Sequence, residues 1–159
     1  MKSSKQESGF TLIELLVVML IVGILGTLVA MTYSGVQTKN RNGQRQADIN
    51  TMKSQLETYY AQHSAYPTFA NLNDATWRAA NIKELTSGDI TDPSWSANSK
   101  VCISGTTVQV ADKPVEECYS YEVRGTDGTA CDNDKSTCAQ YTLTATLEGG
   151  GRFTKSSLN

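Results

Sequence analysis

The chain has 159 residues, a net charge of −2 and a charged fraction of 19%. That length carries one modest domain with a short additional segment. The charge is too small to coat a polyanion, and the charged fraction is too low for a self-repelling disordered chain. His63 is the single histidine, and no convincing serine–histidine–aspartate or cysteine–histidine arrangement can be built around it, so the composition does not suggest an enzyme.

Met1–Gly9 is short and carries Lys2 and Lys5, and Ser8-Gly9-Phe10-Thr11-Leu12-Ile13-Glu14 spans its end. From Leu12 to Met31 the chain is apolar apart from Glu14 and Thr27, long enough as a helix to cross a hydrocarbon core of roughly 30 Å. Glu14 is the informative residue. An acid at the centre of such a helix costs about 2.5–3.5 kcal/mol, and less toward the interface, so Glu14 needs a counter-charge. Phe10 lies four residues away on the same helix face, about 6 Å along the axis. An ammonium at Phe10 would serve, whether its own or that of a neighbour displaced by about one turn. A secretory signal fits poorly, because the apolar stretch is too long and no small-x-small cleavage site follows.

These residues resemble the N-terminus of type IV prepilins and of the related pseudopilins of secretion and DNA-uptake systems. The resemblance covers about the first 24 residues closely, the next 40 more loosely, and the rest only in architecture. It implies that a membrane-embedded prepilin peptidase cuts between Gly9 and Phe10 and N-methylates Phe10, and that Glu14 is the assembly residue facing the new amine. The expected divisions are a leader at 1–9, a transmembrane and polymerisation helix at 10–33, an amphipathic half of the same helix at 34–63, and a globular pilin-type domain at 64–159. Many pilins carry a proline near the middle of the apolar segment; here that place holds Met31.

Within the apolar segment, Gly23-xxx-Thr27 and Gly26-xxx-Ala30 are small-xxx-small pairs that permit close helix approach in lipid. Ile49, Met52, Leu56 and Tyr59 then follow a 3-4-3 spacing, with Asn50, Lys53, Ser54 and Glu57 on the opposite face. The spacing predicts a near-continuous helix from about Thr11 to His63, with Gly35 and Gly43 as bending points. Lys39, Arg41 and Arg45 form a basic cluster just beyond the apolar segment. Without interleaved aromatics it is read as subunit contact or solvated surface rather than a nucleic-acid site. Tyr66-Pro67 stops the helix, and a short helix is expected over Asp74–Leu85 with Trp77 and Ile82 inward.

The remainder reads as strand. Tyr119, Tyr121 and Val123 alternate with polar residues, as do Tyr141, Leu143, Ala145 and Leu147. Val101–Val110 is expected to add a strand or hairpin, and Arg152–Lys155 a short edge strand after Gly149-Gly150-Gly151. One apolar sheet face needs a cover, which the amphipathic helix supplies. The expected fold class is α+β, pilin-like.

Cys102, Cys118, Cys131 and Cys138 all lie in the last third of the chain. An even count in a small domain behind a membrane segment suggests two disulfides formed outside the cytoplasm. Three pairings are open; Cys102–Cys118 and Cys131–Cys138 are favoured because short separations close easily. No close Cys-x2–4-Cys pair points to zinc. Asp127, Asp132 and Asp134 are weak calcium candidates, in a loop that reads first as a solvated turn. Glu116 and Glu117 read as a solvated turn.

The reading is a structural subunit of a type IV pilus. It is made as a prepilin in the cytoplasmic (inner) membrane with its leader inside and domain outside, then processed and polymerised into an extracellular helical filament. Its expected partners are copies of itself, the prepilin peptidase, the pilus or secretion assembly machinery and the membrane, with neither nucleic acid nor cofactor. Two alternatives stay open: a pseudopilin of a type II secretion or competence system, and a minor tip pilin or adhesin.

Overall fold

The computed structural model describes residues 9–96, 102–104 and 107–158. The leader expected at 1–9 therefore lies outside the described residues up to position 8, as do Val101 and positions 105–106 of the expected Val101–Val110 strand. The chain divides into two compact units, the first ending at Lys39 and the second running from Asn40. Helix α1, Leu12–His63, is uninterrupted through Gly35 and Gly43.

In the first unit the apolar window Leu12–Val29 has a mean hydropathy of 2.8 and no buried residue. Such a surface is expensive in water, at roughly 25 cal/mol per Å² of apolar area. It is long and apolar enough to cross a membrane.

In the second unit Ile49, Met52 and Leu56 turn one face of α1 into the core and are fully buried. They meet a sheet of three antiparallel strands in the order β3–β4–β5, where β3 is Tyr119–Gly125, β4 is Cys138–Thr146 and β5 is Arg152–Ser156. Register pairs Tyr119 with Ala145, Tyr121 with Leu143 and Val123 with Tyr141, so alternate residues of both strands form one apolar face. The fold is α+β and pilin-like, with a long N-terminal apolar helix and a small antiparallel sheet.

The helix expected over Asp74–Leu85 is present but shorter, as α3 at Ala75–Asn81, and Phe69–Asn73 ahead of it forms a further short helix, α2. Thr68 caps α2, and Asp74 accepts from the backbone N–H groups of Thr76 and Trp77 to cap α3, so the acid that was read as opening one helix also closes another. Ile82 is buried and Trp77 packs partly against the core; Arg78 is buried as well, donating to the Leu72 carbonyl. Of the strand or hairpin expected over Val101–Val110, the described residues form the hairpin: β1, Ile103–Ser104, pairs antiparallel with β2, Thr107–Val108.

The β4–β5 connection turns through Gly149, Gly150 and Gly151, all at positive φ (86°, 100° and 90°). That left-handed path is open to glycine at no steric cost, and it places Glu148 at the head of the turn. Gly125, at the β3 bulge, is set by crowding: a Cβ there would stand 2.7 Å from Ser136 Oγ.

Candidate processing and assembly site

The start of α1 is a reciprocal cap. Thr11 Oγ1 accepts from the Glu14 backbone N–H at 3.2 Å, and Glu14 Oε2 accepts from the Thr11 backbone N–H at 2.9 Å and from the Thr11 hydroxyl at 2.9 Å. This Thr-x-x-Glu box satisfies two of the donors that every helix start leaves open. The signal stands in the sequence as Thr11-Leu12-Ile13-Glu14, so Glu14 has a local partner in Thr11 besides the Phe10 amine expected of it. Phe10 is 87% exposed just before the cap. A side chain built at Gly9 would meet nothing within 4 Å, so the chain itself does not demand glycine there.

Of the basic cluster read as subunit contact or solvated surface, Lys39 is exposed and Arg41 partly so, but Arg45 is buried. Arg45 is 2% exposed, and every N–H of its guanidinium is used. Nε and Nη2 take the two oxygens of Asp92 at 2.7 and 2.8 Å, Nη2 also reaches Ser94, and Nη1 reaches Asn42 and Glu148. Arg41 adds Nε and Nη2 contacts to Glu148 at 2.6 and 2.5 Å. Asn42 donates to the Glu148 carbonyl and accepts from the Glu148 N–H, at 3.0 and 2.9 Å. The hydrogen bonds from Arg41, then those and the charge of Arg45, hold the Glu148 carboxyl down at about 2 against a smaller burial effect. Burial pushes the Asp92 carboxyl up, but the Arg45 and Ser94 hydrogen bonds outweigh it and its net shift is downward. Asp92 raises the Arg45 value further.

A second polar knot involves Glu57, which the sequence placed on the outer face. Its Oε1 accepts from Tyr141 and its Oε2 from Tyr66, at 2.7 and 2.9 Å. Tyr119 donates to Asp48 at 2.6 Å, and burial, opposed by that hydrogen bond, lifts the Asp48 carboxyl. His63 ends α1 exposed, with its ring stacked on Tyr59 at 4.0 Å and Nδ1 on the Tyr59 carbonyl.

The cysteines are joined as Cys102–Cys118 and Cys131–Cys138, with Cα separations of 6.2 and 5.2 Å. In the acidic loop Asp127 and Asp132 are exposed and accept from the backbone of their own turns. Asp132 Oδ1 accepts from the backbone N–H groups of Asp134, Lys135 and Ser136, and Asp127 Oδ1 from Thr129 N–H and Oγ1. Among the described residues no group of three or more histidine, cysteine, aspartate or glutamate side chains is placed to hold a metal. Glu116 and Glu117 are exposed in the turn before β3.

The family model for the prokaryotic N-terminal methylation motif matches residues 4–30. The opening segment carries that motif. Three type II secretion system core protein G chains are similar: that of Dickeya chrysanthemi is 38% identical over 64 residues, 40% of this chain and 42% of that one. Those of Vibrio cholerae serotype O1 and Escherichia coli K12 are 35% and 32% identical, each over 68 residues, 43% of this chain and 47% of theirs. The chain thus spans under half the length of the curated relatives it matches. No solved structure matches it significantly. The methylation motif is common ground for pilins and pseudopilins, whereas the relatives are secretion-system proteins, so the comparisons favour the secretion alternative over the type IV pilus reading.

Proposed function

We propose that this chain is a pseudopilin of a type II secretion system, a structural subunit rather than an enzyme. The observation that carries the reading is the similarity to core protein G chains, joined to an exposed apolar helix that holds one carboxylate. A prepilin peptidase cuts between Gly9 and Phe10 and methylates Phe10. The helix holds the subunit in the inner membrane with its second unit outside, and Glu14 meets the Phe10 amine of a neighbour when copies assemble with the secretion machinery. The Cys102–Cys118 and Cys131–Cys138 bonds brace the outer domain; no cofactor enters the role.

Intact mass of the non-reduced protein, taken separately from material sheared off cells and from their membranes, tests this. Processed, N-methylated protein confined to membranes is the expected result. Abundance of the same mass in the sheared fraction would move the assignment to a surface pilus subunit. An uncut Met1 chain in cells that contain the peptidase would overturn both. Gly9→Leu should fold, given the open space around Gly9, yet stay uncut. Glu14→Ala should be cut normally and fail to assemble.

A further inference from the structure

Asn42-Gly43 is the single Asn-Gly step in the chain, and it lies in α1 where Asn42 touches Glu148 at the head of the β4–β5 turn. We propose that Asn42 is a deamidation site that the folded second unit shields, and that conversion there bars a chain from closing that unit again. The inference goes beyond the secretion reading and does not rest on it.

The chemistry needs only water. The Gly43 backbone nitrogen attacks Asn42 Cγ, the new C–N bond closes a succinimide ring, and the Cγ–Nδ2 bond breaks. Ammonia leaves, carrying the proton that the nitrogen gave up. Water then opens one of the two ring carbonyls, which yields aspartate or, with the main chain rerouted through Cγ, isoaspartate. Glycine hinders this attack least, because it has no Cβ. Nothing in the packing asks for it: a Cβ at Gly43 would meet nothing within 4 Å, and glycine inside a helix is weaker than alanine.

The fold keeps the two reacting groups apart. The Gly43 N–H stands in the helical ladder of α1, so it points along the axis rather than at its neighbour's side chain. The Asn42 amide is fixed on both of its polar atoms. Nδ2 donates to the Glu148 carbonyl at 3.0 Å, and Oδ1 accepts from the Glu148 N–H at 2.9 Å and from Arg45 Nη1 at 2.8 Å. Unfolding the second unit frees both groups. Isoaspartate would then add a methylene to the main chain of α1 ahead of Arg45 and Ile49, which are both buried. Helical hydrogen bonds that span position 42 would lose their register, so neither side chain could return to its partners.

The test is a time course on the full chain in detergent micelles, warmed at mildly alkaline pH, in buffer and in urea that unfolds the second unit. Cleavage after Lys39 and Lys53 isolates a peptide in which tandem mass spectrometry separates Asn42 from Asn40 and Asn50. Conversion in urea should fall on Asn42. In buffer it should run at least ~100-fold slower, since it waits for rare openings. Gly43→Ala, which fits the open space beside the helix, should lose most of the conversion in urea. When urea is diluted out of a half-converted sample, isoaspartate should be depleted from the chains that regain protease resistance. Equal rates in buffer and urea would overturn the shielding, and no excess at Asn42 over Asn40 and Asn50 would overturn the site. Isoaspartate spread evenly between resistant and sensitive chains would overturn its effect on closure.

Discussion

Arg45 meets Asp92 at two points, Nε to Oδ2 at 2.7 Å and Nη2 to Oδ1 at 2.8 Å, with 2% and 0% of the two side chains exposed. A buried pair of this kind adds little net stability over apolar residues of the same size, yet breaking it by removing one partner is costly. Asp92→Ala leaves the Arg45 guanidinium with Glu148 alone for a counter-charge. It should destabilise the second unit by about 3 kcal/mol, the lower end of the range for a broken buried pair, read by urea denaturation in detergent. The double variant Arg45→Met, Asp92→Leu should cost less than Asp92→Ala. A double variant worse than the single one would mean that the pair contributes net stability.

Glu148 gives the pH dependence. Its carboxyl lies near 2 in the folded chain, against an ordinary value of 4.5. The folded value is depressed, so the stabilisation is fully present above about 4.5 and is lost as pH falls toward about 2. Wild type should therefore lose its advantage over Glu148→Gln across that window, while the gap between them stays flat from pH 5 to about 7. Asp92 is held down by Arg45 and Ser94, with no contribution from Glu148, so it should drop out of the comparison. A gap that is as wide near pH 2.5 as near pH 6 would show that Glu148 acts through shape alone.

The sequence and the fold meet closely where the signal is local and periodic. Ile49, Met52 and Leu56 announce a helix face by spacing, and Tyr121 and Leu143 announce strands by alternation. The register that brings those two opposite each other also follows, because a slip by one residue would turn both apolar sets outward. Polar residues that find partners far along the chain stayed hidden. Arg45 reads as a surface charge because its partners stand 47 and 103 residues away, and no spacing rule links them. Glu57 is the same case, since the hydroxyls that claim it belong to Tyr66 and to Tyr141 on β4. Thr11 is the opposite case: the Thr-x-x-Glu pattern is local and legible, and it competes with the counter-charge role that Glu14 suggests. Asp74 opens the short helix expected after it, as the N-cap of α3, while α2 before it is only five residues long and too short to show a helical period.

The disulfide pairing can be read from one digest. Trypsin cuts after Lys100, Arg124, Lys135 and Arg152 but poorly at Lys113, which precedes Pro114. Without reduction, Cys102–Cys118 should remain inside a single 101–124 peptide two hydrogens light, and 125–135 should stay linked to 136–152. A 101–124 peptide linked to either of the others would give a different pairing. Loop lengths of 16 and 7 residues put the two bonds at about 3 and about 2.5 kcal/mol in the chain-entropy view. Cys131→Ala/Cys138→Ala should then be the milder loss, because Asn133 also ties that loop to the Tyr66 carbonyl and the Cys138 N–H.

Asp132 separates a calcium role from a turn role in the same loop. Its Oδ1 already accepts three backbone N–H groups, and these hydrogen bonds, first from Lys135 and then from Ser136, hold its carboxyl below the ordinary range. An oxygen so occupied, on a carboxylate that serves its own turn, has little left for a cation that wants six to eight oxygen ligands. Asp132→Ala should therefore lower the melting temperature by the same amount in calcium and in chelator, because what it removes is a turn. Adding calcium to the wild-type chain should leave its melting temperature unmoved. A rise on calcium addition that disappears in Asp132→Ala would mean that the carboxylate leaves its backbone partners to bind the ion, with Asp127 and Asp134 then the nearest candidates to complete its shell.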